Sequence, residues 1–425
     1  MSNERLLEYT TKDIIAGRQS PFARRLSNPT PTFKPTYDTG LEPQMVGKKL
    51  RNVKQNGQVI YVAPGENIQK AIDIVNGFGG GTVILGVGTH IVNYDIILYS
   101  HISIIGENAI GSIVNFSSNS NQFKVVGSGA YATGTLSVSN GGTAVTGSST
   151  FWSTNAVAGQ YILLGGGWYP IAVVGGDTSI TISVPFGGTT LSGASYTIAT
   201  IIQGVRLTNF EIKNSATAAL KIQYANEITI NEVNWVTNNS SMDFDTCSNM
   251  SINQLDITAD TLGANWTDIH YVTLRDSIFT DVLSGAAVTL NSCTAIFLGA
   301  DVVLNSAGDG YNITSCDGVV FSGGQILECG GQGIELVATN TKVVVGDVEI
   351  QNSASDGIKL TASSDNCFIK NCILWGNGGY GLNIAASTCD TNLVIGNNFS
   401  GNVTAAASDS GTGTLIRSNI GLADN

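Results

Sequence analysis

Charge is sparse in this chain: Asp, Glu, Lys and Arg together make up 12% of its 425 residues, and there are only 8 prolines. With 51 glycines and an abundance of Asn, Ser, Thr, Val and Ile, the composition suits many short strands joined by tight turns, and long helices are not expected. No apolar run reaches the roughly 18 residues of a membrane-spanning helix, so no such span is expected. Basic residues are the minority, 20 against 32 acidic, and the net charge of −12 repels a nucleic-acid backbone over most of the surface. The opening MSNERLLEYTTKDIIAGRQ lacks the apolar core of a secretory signal, so folding in a cytoplasm is expected. Seven cysteines, all between Cys247 and Cys389, form no CxxC pair and no metal-ligand spacing; reduced, buried thiols follow, with no metal and no cofactor.

What the chain does have is a repeat. From residue 200 onward an apolar position recurs at Leu207, Ile230, Ile252, Leu274, Phe297, Phe321, Val345, Ile369, Ile395 and Ile416, at spacings of 23, 22, 22, 23, 24, 24, 24, 26 and 21. A near-constant period of this size means one coil per period, each too thin to bury its own core, so stacking must supply the core. Two residues further on come Asn209, Glu232, Gln254, Asp276, Gly299, Gly323, Asp347, Asn371, Asn397 and Ser418. This column is rich in residues that tolerate a left-handed bend, and it reads as a turn between strands. A second strand repeats out of phase, ending at Ile222, Phe244, Leu290, Ile313, Leu336, Leu360 and Ile384. Alternation puts the residue before each of these outside, giving an exposed column of Lys221, Asp243, Thr289, Asn312, Glu335, Lys359 and Asn383. Leucine-rich repeats share the period, but their fixed Leu and Asn spacing is missing. The expected fold is all-β, a right-handed parallel β-helix over residues 200–425.

Residues 56–126 read as the start of the same solenoid. VIYVAPGENIQKAIDIVNGFGGGTVILGVGTHIV gives a strand, a turn, a short helix with Ile68, Ala71, Ile72 and Val75 on one face, and another strand; such a helix can plug an open solenoid end. The succession V-x-P-G, I-Q-x-A-I-D, G-G-T-V and I-S-I-I-G resembles the start of the pectate-lyase superfamily, in the branch that contains bacteriophage tail spikes. The resemblance spans about residues 58–425 less one insertion. It implies the fold, three chains packed side by side, and binding or cleavage of sugars by residues that differ among members.

Residues 127–199 break the period and alternate like antiparallel strands with Gly-rich hairpins. The segment resembles a small β-module that recurs in phage tail and fibre proteins, and it is expected to project sideways. Trp168 and Tyr169, with Trp152, suit either stacking on sugar rings or a small β-core. Residues 1–55 hold most of the prolines and a share of the basic residues; an extended arm is expected, either docking on other virion proteins or simply disordered.

Hydrolysis of a glycosidic bond needs two carboxyls, about 5 Å apart for retention or roughly 6.5–9.5 Å for inversion. Asp243 and Asp245 are an i, i+2 pair about 7 Å apart along a strand, and Asp268, 23 residues beyond Asp245, is expected directly above it. Trp235 and Trp266 lie on flanking coils and, with Glu335 and Asn312, complete the candidate sugar site; turn columns also carry Asp for structural reasons. His270 is assigned to the inward column of Cys247, Cys293 and Cys316, Glu335 to a pair with Lys359, and Asp309 and Asp356, flanking Gln332, to turns. The paired-Asp motifs of pectin hydrolases and the Arg-bearing strand of pectate lyases have no counterpart. Together these features lead to the expectation of a homotrimeric phage virion protein that touches a host-surface polysaccharide. A polysaccharide depolymerase and a capsid-decoration protein without sugar ligand stand as alternatives.

Overall fold

A computed structural model describes residues 58–421; the N-terminal arm expected over residues 1–55 lies outside them. The described chain is all-β. Thirty-two strands join in one parallel assembly, and eight more form a separate antiparallel sheet.

The parallel strands wind into a solenoid with three faces. Face 1 begins with Gln58–Val62, on which Gly81–Leu85 and then Ile102–Gly106 stack in register. Face 2 begins with Gly88–Ile91 under Ser112–Asn119, and face 3 with Ile96–Ile97 under Phe123–Val126. Helix α1, Ile68–Asn76, closes the first coil: Asn67 caps it by accepting from the Lys70 N–H, and Ile68, Ala71, Ile72 and Val75 are buried. Its apolar face thus covers core that a bare first coil would leave wet.

Each coil contributes a few inward apolar side chains, and full burial of each stabilises the stack by roughly 1.5–3 kcal/mol. The inward column on face 1 follows the expected period with two shifts of phase. Leu298, not Phe297, pairs with Leu274, and Val394, not Ile395, pairs with Ile369 and Ile416. In both places two apolar residues adjoin, and alternation turns one of each pair outward. The turn column moves with them, so it runs Asn209, Glu232, Gln254, Asp276, Ala300, Gly323, Asp347, Asn371, Gly396 and Ser418, all with φ between 51° and 76°. For Glu232, Gln254 and Ala300 this backbone costs roughly 1–2 kcal/mol per residue, which the stacked neighbours must offset.

Residues 128–200 form the antiparallel module, with its own core around Leu136, Val145, Trp152, Ile162, Ile180 and Ile198. Trp152 Nε1 donates to Tyr196 Oη at 2.9 Å inside it. The solenoid resumes as though uninterrupted: Arg206–Thr208 stack on Ser103–Ile105, and Leu220–Gln223 on Phe123–Val126. The module leans back on the shaft as well. Tyr271 Oη donates to the Gly165 carbonyl at 3.2 Å, and a side chain at Gly166 would meet the His270 ring at 3.0 Å.

All seven cysteines are free and buried. Burial pushes the Cys372 thiol up to about 11 and those of Cys329 and Cys367 up to about 12, which keeps them protonated and inert. Ile269, not His270, continues the column of Cys247; His270 stacks between Ser248 and Thr294 on the outer side.

Candidate functional site

The outer surface of face 3 is a ladder of hydrogen-bonding side chains. Its column runs in register through Lys124, Lys221, Asp243, Asn265, Thr289, Asn312, Glu335, Lys359, Asn383 and Ser408. Asn265 adds a rung to the column expected from the sequence, and its spacing of 22 residues from Asp243 is the signal that marks it. Two residues along each strand lies a second outward column: Gln223, Asp245, Thr267, Asn291 and Thr314. Ten coils at about 4.8 Å make this a flat polar strip more than about 40 Å long.

Neighbouring rungs hold one another. Lys221 Nζ lies 4.0 Å from Asp243 Oδ2, and Gln223 Nε2 donates to Asp245 Oδ2 at 2.6 Å. Glu335 accepts from Asn312 Nδ2 at 3.3 Å and pairs with Lys359 at 3.1 Å, both charged groups being largely shielded by their neighbours. Asp309 accepts from the Gln332 N–H and from Asn312 Nδ2; Asp356 accepts from the Tyr380 N–H and from Asn383 Nδ2. Such links fix side-chain positions before any ligand arrives, which lowers the ordering cost of binding.

The expected catalytic cluster is only partly assembled. Asp243 and Asp245 share the outer side of one strand, at the i, i+2 separation of about 7 Å that fits an inverting pair. Asp268 is not above Asp245: Thr267 occupies that rung, and Asp268 is the next residue, in the left-handed turn column of Tyr224, Thr246 and Ser292. There its Oδ1 lies 3.1 Å from His270 Nε2, beside the module. The reason is a one-residue difference in coil length, since the stack advances by 22 residues here and not 23.

The aromatic candidates are placed elsewhere. Trp235 and Trp266 are fully buried, Trp266 stacked on Phe244 with ring centroids 5.7 Å apart, so neither presents a face to a sugar. Each is an inward residue of its strand, and its size fills the shaft. Trp168 is buried with Leu163, Ala199 and Ile201 where the module meets the shaft, and Tyr169 packs on Phe186 within the module. The cavity beside Asp301 and Tyr311 has a volume of about 10 Å³, room for about one water and none for a sugar. Among the described residues no group of three or more His, Cys, Asp or Glu is placed to hold a metal ion, and no helix is long and apolar enough to cross a membrane.

Face 1 has a different outer surface. Its column is polar through Arg206, Thr229, Ser251 and Thr273, then apolar on six successive coils: Phe297, Val320, Val344, Phe368, Leu393 and Leu415. The Arg275 guanidinium sits 4.4 Å over the Phe297 ring, and Lys370 Nζ lies 5.4 Å from that of Phe368.

Comparison with known proteins agrees on the fold. The family described as "Right handed beta helix region" matches residues 261–420. Curated protein sequences give no match. Among solved structures, the A-module of the Azotobacter vinelandii mannuronan C-5 epimerase AlgE6 is similar with a TM-score of 0.52 at 14% identity, over 84% of this chain and 95% of that one. The catalytic domain of a GH87 alpha-1,3-glucanase in complex with nigerose has a TM-score of 0.50 at 12% identity, over 87% and 70%. The gp54 tailspike of Acinetobacter baumannii bacteriophage AP22, in complex with A. baumannii capsular saccharide, follows at 0.42 and 13%, over 82% and 74%. With the family match, the epimerase module and the glucanase domain agree with the chain's fold, a right-handed parallel β-helix.

Proposed function

We propose that this chain is a phage virion protein of the tail-spike or fibre kind, which binds a host-surface polysaccharide along face 3. Face 1 is turned toward other copies in a homotrimer, and residues 1–55 join the particle. The observation that carries the reading is the contrast between two outer surfaces of one shaft. A polysaccharide is a long, flexible, hydroxyl-rich chain. It needs donors and acceptors repeated along a line, and face 3 supplies them from Lys221 to Asn383 at the coil spacing. Many modest contacts along one strand then add, and repetition on three chains multiplies them. Six aligned apolar side chains on face 1 match what a lateral protein contact buries. The phage assignment and the virion location rest on the sequence resemblance of residues 58–126 and of the inserted module.

Incubating the purified full chain with host capsule or lipopolysaccharide tests this. Binding without release of reducing ends is expected, weakened at least about tenfold when Asn312, Glu335 and Asn383 are replaced together by alanine. Unchanged binding in that variant would remove face 3 from the account. The Asp243–Asp245 pair favours a second reading, a polysaccharide hydrolase or lyase. Released reducing ends or unsaturated uronate, abolished by Asp245→Asn, would establish it. Absence of any glycan interaction would instead favour a decoration protein.

A further inference from the structure

Inside the shaft, asparagines form rungs with one pattern of hydrogen bonds. In each, Oδ1 accepts a backbone N–H from the preceding coil and Nδ2 donates to a carbonyl of that coil. Asn397 accepts from Cys372 N at 2.8 Å and donates to Ile369 O at 3.0 Å; Asn402 accepts from Asn377 N at 3.1 Å and donates to Leu374 O at 2.7 Å. Asn238, Asn340, Asn377, Asn392 and Asn419 repeat the pattern. The carbonyl used by Asn397 belongs to the register partner of Val394, three residues before it, and that used by Asn238 to the partner of Trp235.

Two rungs hold aspartate instead. Asp260 Oδ1 accepts from Asn238 N at 2.7 Å, and Asp301 Oδ1 from Ser277 N at 3.0 Å. Both residues are buried, and both Oδ2 atoms lack a hydrogen-bond partner. The same register assigns the carbonyls of Trp235 and Leu274 to those Oδ2 atoms. An oxygen in the place of an amide NH2, opposite a carbonyl, is repelled if it carries charge and bonded if it carries a proton.

We propose that Asp260 and Asp301 are proton-carrying rungs, neutral acids that substitute for asparagine in the interior ladder, and that their ionisation loosens the middle of the shaft as pH rises. Burial acts in the same sense, holding Asp260 up to about 7 and Asp301 up to about 8. The charged groups that act on Asp301 are Asp276 and Arg275, on the coil beneath; the buried Tyr311 interacts with Asp301 and, in turn, with Cys329. Asp260 feels only burial and the Asn238 donors.

The sign follows from linkage. A folded-state value above the unfolded one means that the folded chain holds more protons, so stability is fully present below about pH 4 and is lost as pH rises to about 7 for Asp260 and about 8 for Asp301. Asparagine supplies the donor at every pH. Thermal unfolding of the full chain and of the Asp260→Asn, Asp301→Asn double variant is therefore measured from about pH 4 to about pH 8.5. The two should melt together at the acid end, with the variant ahead by on the order of 5 °C at the alkaline end. A gap independent of pH, or a variant less stable throughout, overturns the proposal. Infrared spectra of the unaltered chain decide it should the variant fail to fold: protonated-carboxyl absorption should persist at about pH 6 and fade by about pH 9. Its absence at about pH 6 refutes the assignment.

Discussion

Faces 1 and 3 of the shaft are built from the same coils, with the same period and the same inward apolar residues, yet their outer surfaces differ. From Phe297 onward face 1 shows Phe, Val, Val, Phe, Leu and Leu outward, while face 3 over the corresponding coils shows Thr289, Asn312, Glu335, Lys359, Asn383 and Ser408. Folding does not impose this difference, because outward positions of a solenoid add little to its core. The teaching is that the inner columns report the fold and the outer ones report what the shaft meets.

The sharpest way to separate inside from outside is on one strand. Trp266→Ala empties the core behind face 3 and should cost about 3–5 kcal/mol in denaturant unfolding, whereas Asn265→Ala, its outward neighbour, should stay within about 0.5 kcal/mol. Equal effects would mean that the two sides are not distinct. Next in size is self-association. Val344→Asp places a charge in the middle of the apolar strip and should weaken assembly by about 2 kcal/mol or more, read as a fall in mass by sedimentation; Thr289→Asp on face 3 should leave the mass unchanged. Were both to act alike, the contrast between faces would carry no meaning for assembly. A smaller effect is expected from Lys359→Met, which removes the partner of Glu335 and should cost about 1 kcal/mol of stability while measurably weakening glycan binding. Least of all, added salt should change binding along face 3 only modestly, since Lys221–Asp243 and Glu335–Lys359 already balance charge within the strip.

Much of this could be read before folding was known. The outward column Lys221, Asp243, Thr289, Asn312, Glu335, Lys359 and Asn383 follows from alternation next to a fixed apolar residue, and the buried face of α1 follows from its 3.6-residue spacing. The candidate site was harder. Trp235 and Trp266 alternate inward, yet an aromatic beside carboxylates looks the same in a sequence whether it meets a sugar or the core. Asp268 stands one column from its expected place, because the coil between Asp245 and Thr267 advances by 22 residues and not 23.

The sequence by itself determined the repeat, its left-handed turn column and the plug at its start. These depend on local backbone preference and on periodicity, which each coil states for itself. Tertiary structure alone decided the phase at Leu298 and Val394, where two adjacent apolar residues competed for one inward position, and the docking of the module against His270 and Tyr271. It also decided which aspartates lie inside: Asp260 and Asp301 become ladder rungs only because the coil beneath offers an N–H to one carboxyl oxygen, while the other is buried without a donor.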